Sequence, residues 1–452
     1  VTTTDTIPRS SGRTKTRLPS DKTLIAAILA VALVVRVVLV LATAHRYVPN
    51  TDAADFSRIA TDISKHFSFG GSVVPHIHGP GAFRTPLWPA LLGATYAVLG
   101  VHWTAGRLVL AIVSTVLVAL IGAFCWLILG RRVGLVSMAV AAVYPPLLLA
   151  GYGLNYEVLM GTMVFGALVC TLVWRRRPEQ WWLLVVAGIL SGLAVLCREN
   201  AGLVLVPICI MVWQRYHQQN ARAAILRMGG LVLLAALVVI PWTVRNEMQF
   251  HSFVPVSDSP GMTIAGVYNP TSAKLDGEFV PPEVVPAYLH ILRNLPAGDN
   301  EAQYASMMQA AAVHYAVHHP AYIVEIAYWN TLRFFDLRGP TDSNWLAPLI
   351  PWPTRLIELS VVSFYLLAAI SIFGAVTRRI RGVPWALWTF PVLWVLSVIF
   401  SVSIMQYRFI IEPFFILMAS MTVVDLYQKR HLGRTGTTAQ TSEPTDSAVG
   451  TA

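Results

Sequence analysis

Two short stretches carry residue types able to do chemistry. In Asp52-Ala-Ala-Asp55-Phe56, two carboxylates open a run in which Phe56, Ile59, Ala60, Ile63 and Phe67 recur at helical spacing, with Arg58, Asp62 and Lys65 between them. That periodicity predicts an amphipathic helix, and such a helix can lie along a membrane surface with its apolar face down. A carboxylate at its start can accept a proton from a substrate hydroxyl; it would equally serve as a cap for the helix. In Gly81-Ala-Phe-Arg84-Thr-Pro86-Leu-Trp88-Pro89, the prolines favour a helix start, continued by Leu91, Leu92 and Tyr96. Arg84 stands just before that start, where an arginine and a helix N-terminus together suit a phosphate; alone, an arginine there would meet lipid headgroups. Between the two stretches lies His76-Ile-His78. With Asp52 this pair has the donors for a divalent metal, or is a surface feature without consequence.

The elements that must position these residues are membrane spans. The chain has 452 residues, 55% hydrophobic and only 12% charged, too little charge for a soluble surface of that size. Apolar segments near the length a bilayer requires run from one end to the other: 24–42, 108–129, 133–149, 158–174, 181–196, 202–213, 226–244, 356–376, 384–402 and 409–427. The first ends in Ala42-Thr-Ala44, which mimics a signal-peptidase site, but its apolar run is too long for an ordinary signal peptide and reads as an uncleaved anchor. The expected fold class is therefore an all-α polytopic membrane protein of about 10 helices, within a range of 10–13, with amphipathic interfacial helices in the first outer loop.

Orientation follows from the basic residues. Arg131, Arg132, Arg175, Arg176, Arg177, Arg215, Arg222, Arg227, Arg378, Arg379 and Arg381 fall in alternate connections, together with the N-terminal leader and Lys429, Arg430 and Arg434. Short basic loops stay inside, so both termini are expected in the cytoplasm, with a multi-pass domain in the cytoplasmic (inner) membrane. Residues 1–22 read as a disordered basic leader, 23–430 as the membrane domain and 431–452 as a disordered tail; outer loops cover about 45–107 and 245–355. The formal charge of +10 then has a topological cause and predicts no nucleic-acid partner. Cys125, Cys170, Cys197 and Cys209 lie in or beside apolar segments without zinc-type spacing and are expected as free, buried thiols.

Other residues set secondary expectations. Arg36 falls inside the first span, where charge is costly; it would line a cavity or pair with a carboxylate from another span. Residues 302–319 read as a helix, followed by Pro320 and an aromatic stretch with Tyr322, Tyr328, Trp329, Phe334 and Phe335 suited to a membrane interface or to flanking a lipid tail or acceptor. Gly261 to Pro296 is rich in Gly and Pro and reads as a mobile loop over the site, a lid for the acceptor.

Asp-x-x-x-Phe after the first span, then Arg-x-Pro-Leu-Trp-Pro before the second, resembles the GT-C superfamily of membrane glycosyltransferases, and more narrowly the bacterial branch of family 39, related to dolichyl-phosphate-mannose protein mannosyltransferases and the lipid A aminoarabinose transferase. The likeness continues in Asn155-Tyr156-Glu157, in Gly188 to Arg198, in Pro241-Trp242-Thr-Val-Arg245-Asn246 and in Gln406-Tyr407-Arg408 to Pro413. This chain departs from the family's usual Asp-Glu pair: Ala53 follows Asp52, and the second acid is Asp55. Arg84-Thr85 stands where the aminoarabinose branch has a lysine.

The resemblance implies a GT-C-like bundle with its active site outside the cytoplasm, a polyprenyl-phosphate-linked sugar as donor and membrane lipid around it. The acceptor would be a hydroxyl of a cell-envelope glycan, lipid or protein. Asp52 is the expected general base, supported by Asp55 or Glu157. Arg84, Arg198, Arg245 and Arg408 are the expected ligands of the donor phosphate, aimed at the charge that develops on the leaving oxygen. A divalent metal is an optional cofactor, with Asp52, Glu157, His76 and His78 as its ligands. Two other readings stay open: a polytopic transporter or lipid flippase, which calls for charges in the middle of several spans, and a non-catalytic scaffold. The sequence contains no evident internal repeat, which argues against a transporter built from duplicated halves.

Overall fold

A computed structural model describes residues 20–72, 74, 77, 79–294, 300–338, 354–377 and 379–439. The described part is almost wholly helical; its one β-type pairing is an isolated bridge between Gly71 and Pro80. In chain order the helices are α1 (Asp21–Ala42), α2 (Thr51–His66), α3 (Leu87–Leu99), α4 (Trp103–Leu129), α5 (Arg131–Val143), α6 (Pro145–Ala150), α7 (Glu157–Arg176), α8 (Trp182–Cys197) and α9 (Leu205–Phe250). Then follow α10 (Ser259–Val267), α11 (Pro270–Ala273), α12 (Leu289–Arg293), α13 (Glu301–His318), α14 (Pro320–Phe334), α15 (Thr354–Val376), α16 (Trp385–Ile399) and α17 (Glu412–Ala439). Five are long and apolar enough to cross a membrane: Asp21–Ala42, Trp103–Leu129, Glu157–Arg176, Asn220–Phe250 and Thr354–Val376.

Each apolar segment read from the sequence coincides with a helix or part of one. The third is divided: Tyr144 leaves the helical conformation before Pro145 and Pro146, and the chain restarts as α6, as expected where prolines remove donors. The sixth and seventh are the two halves of α9. Asn220 breaks it with extended backbone (φ −158°, ψ 92°), and its side chain accepts from the amide of Ala223 at 2.9 Å, capping the second half. The last helix continues to Ala439, beyond residue 430.

Arg131 pairs with Asp21, and Arg176 donates to the Leu127 carbonyl, so these connections share one end of the bundle. Trp174 meets Tyr216, their ring centroids 5.8 Å apart, at the end that gathers Arg131, Arg177, Arg227 and Arg379. Among the described residues, the opposite end gathers 43–72, 79–102, 144–156, 198–204, 251–294, 300–338 and 400–411. Arg36, buried in the bundle, pairs with no carboxylate among the described residues. It donates to Ser114 Oγ at 2.6 Å and to the carbonyls of Ala32, Ala142 and Ala141, so it ties α1 to α4 and to the last turn of α5.

Outside the bundle, α10 to α14 share their own apolar core, with Met262, Ala265, Tyr268, Tyr304, Met308 and Ile326 buried. The Gly- and Pro-rich stretch from Gly261, expected as a mobile loop, is thus folded around buried side chains for most of its length; residues 295–299 lie outside the described residues. The aromatic stretch divides by helix face, because α14 packs on one side only: Tyr322 and Phe334 are buried and Tyr328 is exposed. The four thiols are free, Cys125 and Cys197 buried, Cys170 and Cys209 half-buried.

Candidate active site

The first acidic stretch forms α2, but its apolar face meets protein rather than lipid. Phe56, Ile59 and Ala60 are buried, and α3 lies so close that a Cβ on Gly93 would come within 2.7 Å of Ile63 Cγ2 and 3.1 Å of the Ala60 carbonyl. Ser57 and Tyr96 share a hydroxyl hydrogen bond across the same seam. The expected interfacial orientation gives way to this packing, because α3 offers an equally apolar and closer surface.

Neither acid caps α2, which has no side-chain cap hydrogen bond. Both turn to Arg84 instead. Its Nη2 donates to Asp52 Oδ1 at 2.7 Å and to Asp55 Oδ2 at 2.8 Å, and its Nε donates to Asp55 Oδ2 at 3.1 Å. The guanidinium lies 4.7 Å from the Phe83 ring centroid and 5.5 Å from that of Phe56. Thr85 fixes this loop to the end of α8 by donating to the Cys197 carbonyl at 2.6 Å. Trp88 anchors α3 through its indole N–H on the Leu154 carbonyl at 2.8 Å.

These residues open onto a cavity of about 270 Å³, lined by Asp52, Arg84, Tyr156, Arg198, Ser259 and Tyr407 among others. Arg198 enters it because the chain turns extended at the end of α8. Its Nη1 donates to the Tyr156 hydroxyl at 2.7 Å, and its guanidinium lies 3.8 Å from the Tyr407 ring centroid, a stacking arginine can make and lysine cannot. Asp52 is 38% exposed, so the carboxylate is reachable from the cavity while Arg84 holds it.

The other expected residues stand behind this wall. Glu157 begins α7, buried; its Oε1 accepts from Gln406 Nε2 at 2.8 Å, and its Oε2 has no partner. Arg245 donates to the Gly81 carbonyl at 3.0 Å and stacks on Trp242, 4.8 Å from its centroid, so it supports the loop that carries Arg84. Arg408 is fully buried between Glu412 at 2.7 Å and Asp336 at 2.8 Å and does not line the cavity. The structure therefore brings together Asp52, Asp55, Arg84 and Arg198, with Glu157 one residue from a cavity-lining tyrosine. His76 and His78 lie outside the described residues.

Among the described residues no three His, Cys, Asp or Glu side chains converge as metal ligands. Asp52 is held by Arg84 and Glu157 by Gln406, an arrangement of hydrogen-bond donors and not of a preformed metal centre. Sequence reasoning passed over Tyr156, Tyr407, Glu199, Asn200 and Thr263 as cavity residues. Tyr156, Tyr407, Glu199 and Asn200 stand within two residues of a side chain it did select. Thr263 comes from a stretch that reads as loop.

Residues 83–244 match the family model "Dolichyl-phosphate-mannose-protein mannosyltransferase". No curated protein matches the chain's sequence. Among solved structures, the oligosaccharyltransferase of Archaeoglobus fulgidus tethered with an acceptor peptide containing the NVT sequon is similar at 12% identity and a TM-score of 0.52, over 94% of this chain and 52% of that one. The same enzyme, AglB, in complex with an inhibitory peptide and a dolichol-phosphate is similar at 13% identity and a TM-score of 0.50, over 94% of this chain and 53% of that one. ArnT from Cupriavidus metallidurans bound to undecaprenyl phosphate aligns at 13% identity and a TM-score of 0.45, over 89% of this chain and 77% of that one. The chain spans about half the length of the archaeal enzyme, whose fold it shares. With its match to the mannosyltransferase model and its all-helical membrane-type bundle, this chain resembles the GT-C superfamily of membrane glycosyltransferases, family 39 in particular.

Proposed function

We propose that this chain transfers a sugar from a polyprenyl-phosphate donor to a hydroxyl of a cell-envelope acceptor, at the extracytoplasmic face of a bacterial cytoplasmic membrane. One observation carries the reading: Asp52, Arg84 and Arg198 line a single cavity, at the end of the bundle away from the basic connections. A lipid-linked phosphate reaches that place from the bilayer, and a glycan, lipid or protein hydroxyl reaches it from outside.

The chemistry follows from the residue types. The acceptor oxygen bonds to the anomeric carbon and loses its proton to Asp52. The bond from that carbon to the phosphate oxygen breaks, and the lipid phosphate leaves with the electron pair. Negative charge grows on the phosphate, where the fixed guanidinium groups of Arg84 and Arg198 stabilise it. As the phosphate draws on Arg84, Asp52 is released from its ion pair to act as base, and Asp55 keeps the guanidinium anchored.

Transfer of radiolabelled sugar from polyprenyl-phosphate donors is measured in membranes carrying the wild type or Asp52→Asn. The expected loss is about 10²–10⁴-fold, the usual contribution of a positioned base, with donor binding retained. Unchanged transfer by Asp52→Asn removes the assigned role. Absence of transfer from every donor by the wild type removes the function.

A further inference from the structure

A second, larger cavity of about 610 Å³ opens beside the first, between residues 252–258 and the outer face of α13. Pro260 borders both cavities. Ser257, in the wall of the larger one, hydrogen-bonds to Glu199, in the wall of the smaller one. The two hollows are thus neighbours across one thin partition.

The lining of the larger cavity has a distinct chemistry. It offers the amides of Gln303 and Gln309 and the hydroxyls of Ser252 and Ser306, with Phe253 at its edge, and no lysine or arginine. Phe253 is 78% exposed, an aromatic ring with nothing of the protein packed over most of it. Asp258 borders the same cavity; it is only 7% exposed, and both of its carboxylate oxygens lack a hydrogen-bond partner. Those oxygens are themselves covered by protein, so Asp258 closes the back of the cleft and does not present its carboxylate to it. The floor is firm: a Cβ on Gly261 would sit 2.4 Å from the Ala305 carbonyl oxygen, so α10 and α13 touch backbone to backbone.

We propose that this cleft binds a hydroxyl-rich oligosaccharide as the acceptor, with Phe253 against a sugar face and Gln303, Ser306 and Gln309 on its hydroxyls, so that the chain end passes Pro260 towards Asp52. The absence of cationic lining disfavours a phosphorylated or acidic occupant. A peptide commonly docks by adding a strand to a sheet edge, and no sheet exists among the described residues. This proposal rests on the transferase reading above and names the acceptor class that reading left open.

Saturation-transfer NMR on the full chain in lipid nanodiscs tests it, with mannotetraose, xylotetraose and a serine- and threonine-rich octapeptide as probes. Saturation of at least one oligosaccharide is expected. Phe253→Ala should weaken it roughly three- to tenfold, the range for loss of one aromatic contact, and Gln309→Ala should weaken it less; both side chains are exposed, so folding is spared. Saturation of the peptide alone, of no probe, or of an oligosaccharide equally in wild type and both variants overturns the proposal. Donor binding, followed by the phosphorus resonance of a polyprenyl-phosphate sugar, is recorded in the same samples. Loss of donor binding with retained oligosaccharide binding counts against the transferase reading and not against the cleft.

Discussion

At the scale of single residues, the organising group is Arg84, which holds two carboxylates at once. Asp55 makes two of its three hydrogen bonds and Asp52 one. Asp55→Asn therefore leaves Arg84 near its place, and transfer should fall by roughly tenfold or less, far short of the loss expected for Asp52→Asn; kcat and KM for the donor separate the two. Asp258 gives a pH signature. Burial, and then the neighbouring Glu301 and Glu199, hold its carboxyl well above the usual carboxylate range. A group whose folded value is raised favours the folded state at low pH. That contribution is complete below the ordinary carboxylate range and is lost as pH rises towards the raised value. Asp258→Asn should therefore melt at higher temperature than wild type at neutral pH, with the gap closing towards about pH 4; thermal unfolding in detergent at both pH values checks this. The alternation of apolar residues in 52–67 made α2 legible from the sequence, but not that its acids would turn away from the helix terminus to a guanidinium 29 and 32 residues later. That preference is an ion pair formed across a packed seam.

At the scale of elements, the buried ion cluster joins α17 to the end of α14. Arg408 bridges Glu412 and Asp336 and also donates to the Phe334 carbonyl at 3.0 Å. Its guanidinium lies 3.5 Å from the Phe364 ring centroid on α15. Removing one partner of a buried pair leaves an uncompensated charge and commonly costs about 3–5 kcal/mol. Arg408→Leu should therefore lower the unfolding temperature sharply, while folded protein that survives keeps its donor KM. A donor KM raised in proportion to that of Arg198→Lys would instead return Arg408 to the phosphate site. The sequence placed both arginines at outer helix ends and gave no means of telling them apart. Arg198 faces the cavity because its backbone turns extended after Cys197, and Arg408 faces inward because Glu412 lies one helical turn on.

Across the whole molecule, the proposed topology rests on the alternation of ten apolar segments with basic connections, which would put the site and the outer helices outside the cytoplasm. A cysteine introduced at Phe253 should react with a membrane-impermeant maleimide in intact cells, and one at Arg177 should react only after the membrane is opened; both residues are exposed. The reverse pattern would place the site in the cytoplasm and remove the proposed topology. Composition and apolar periodicity by themselves determined the membrane class, the helical segments and the existence of α2 and α3, because burial in lipid and helical repeat are written into local residue order. Local order is silent on partners distant in the chain. Whether α2 lay on lipid or on α3, whether Arg36 met a carboxylate or backbone carbonyls, which arginines reached the cavity, and that residues 252–261 and α13 enclose a second cleft were decided only when the tertiary structure brought those segments together.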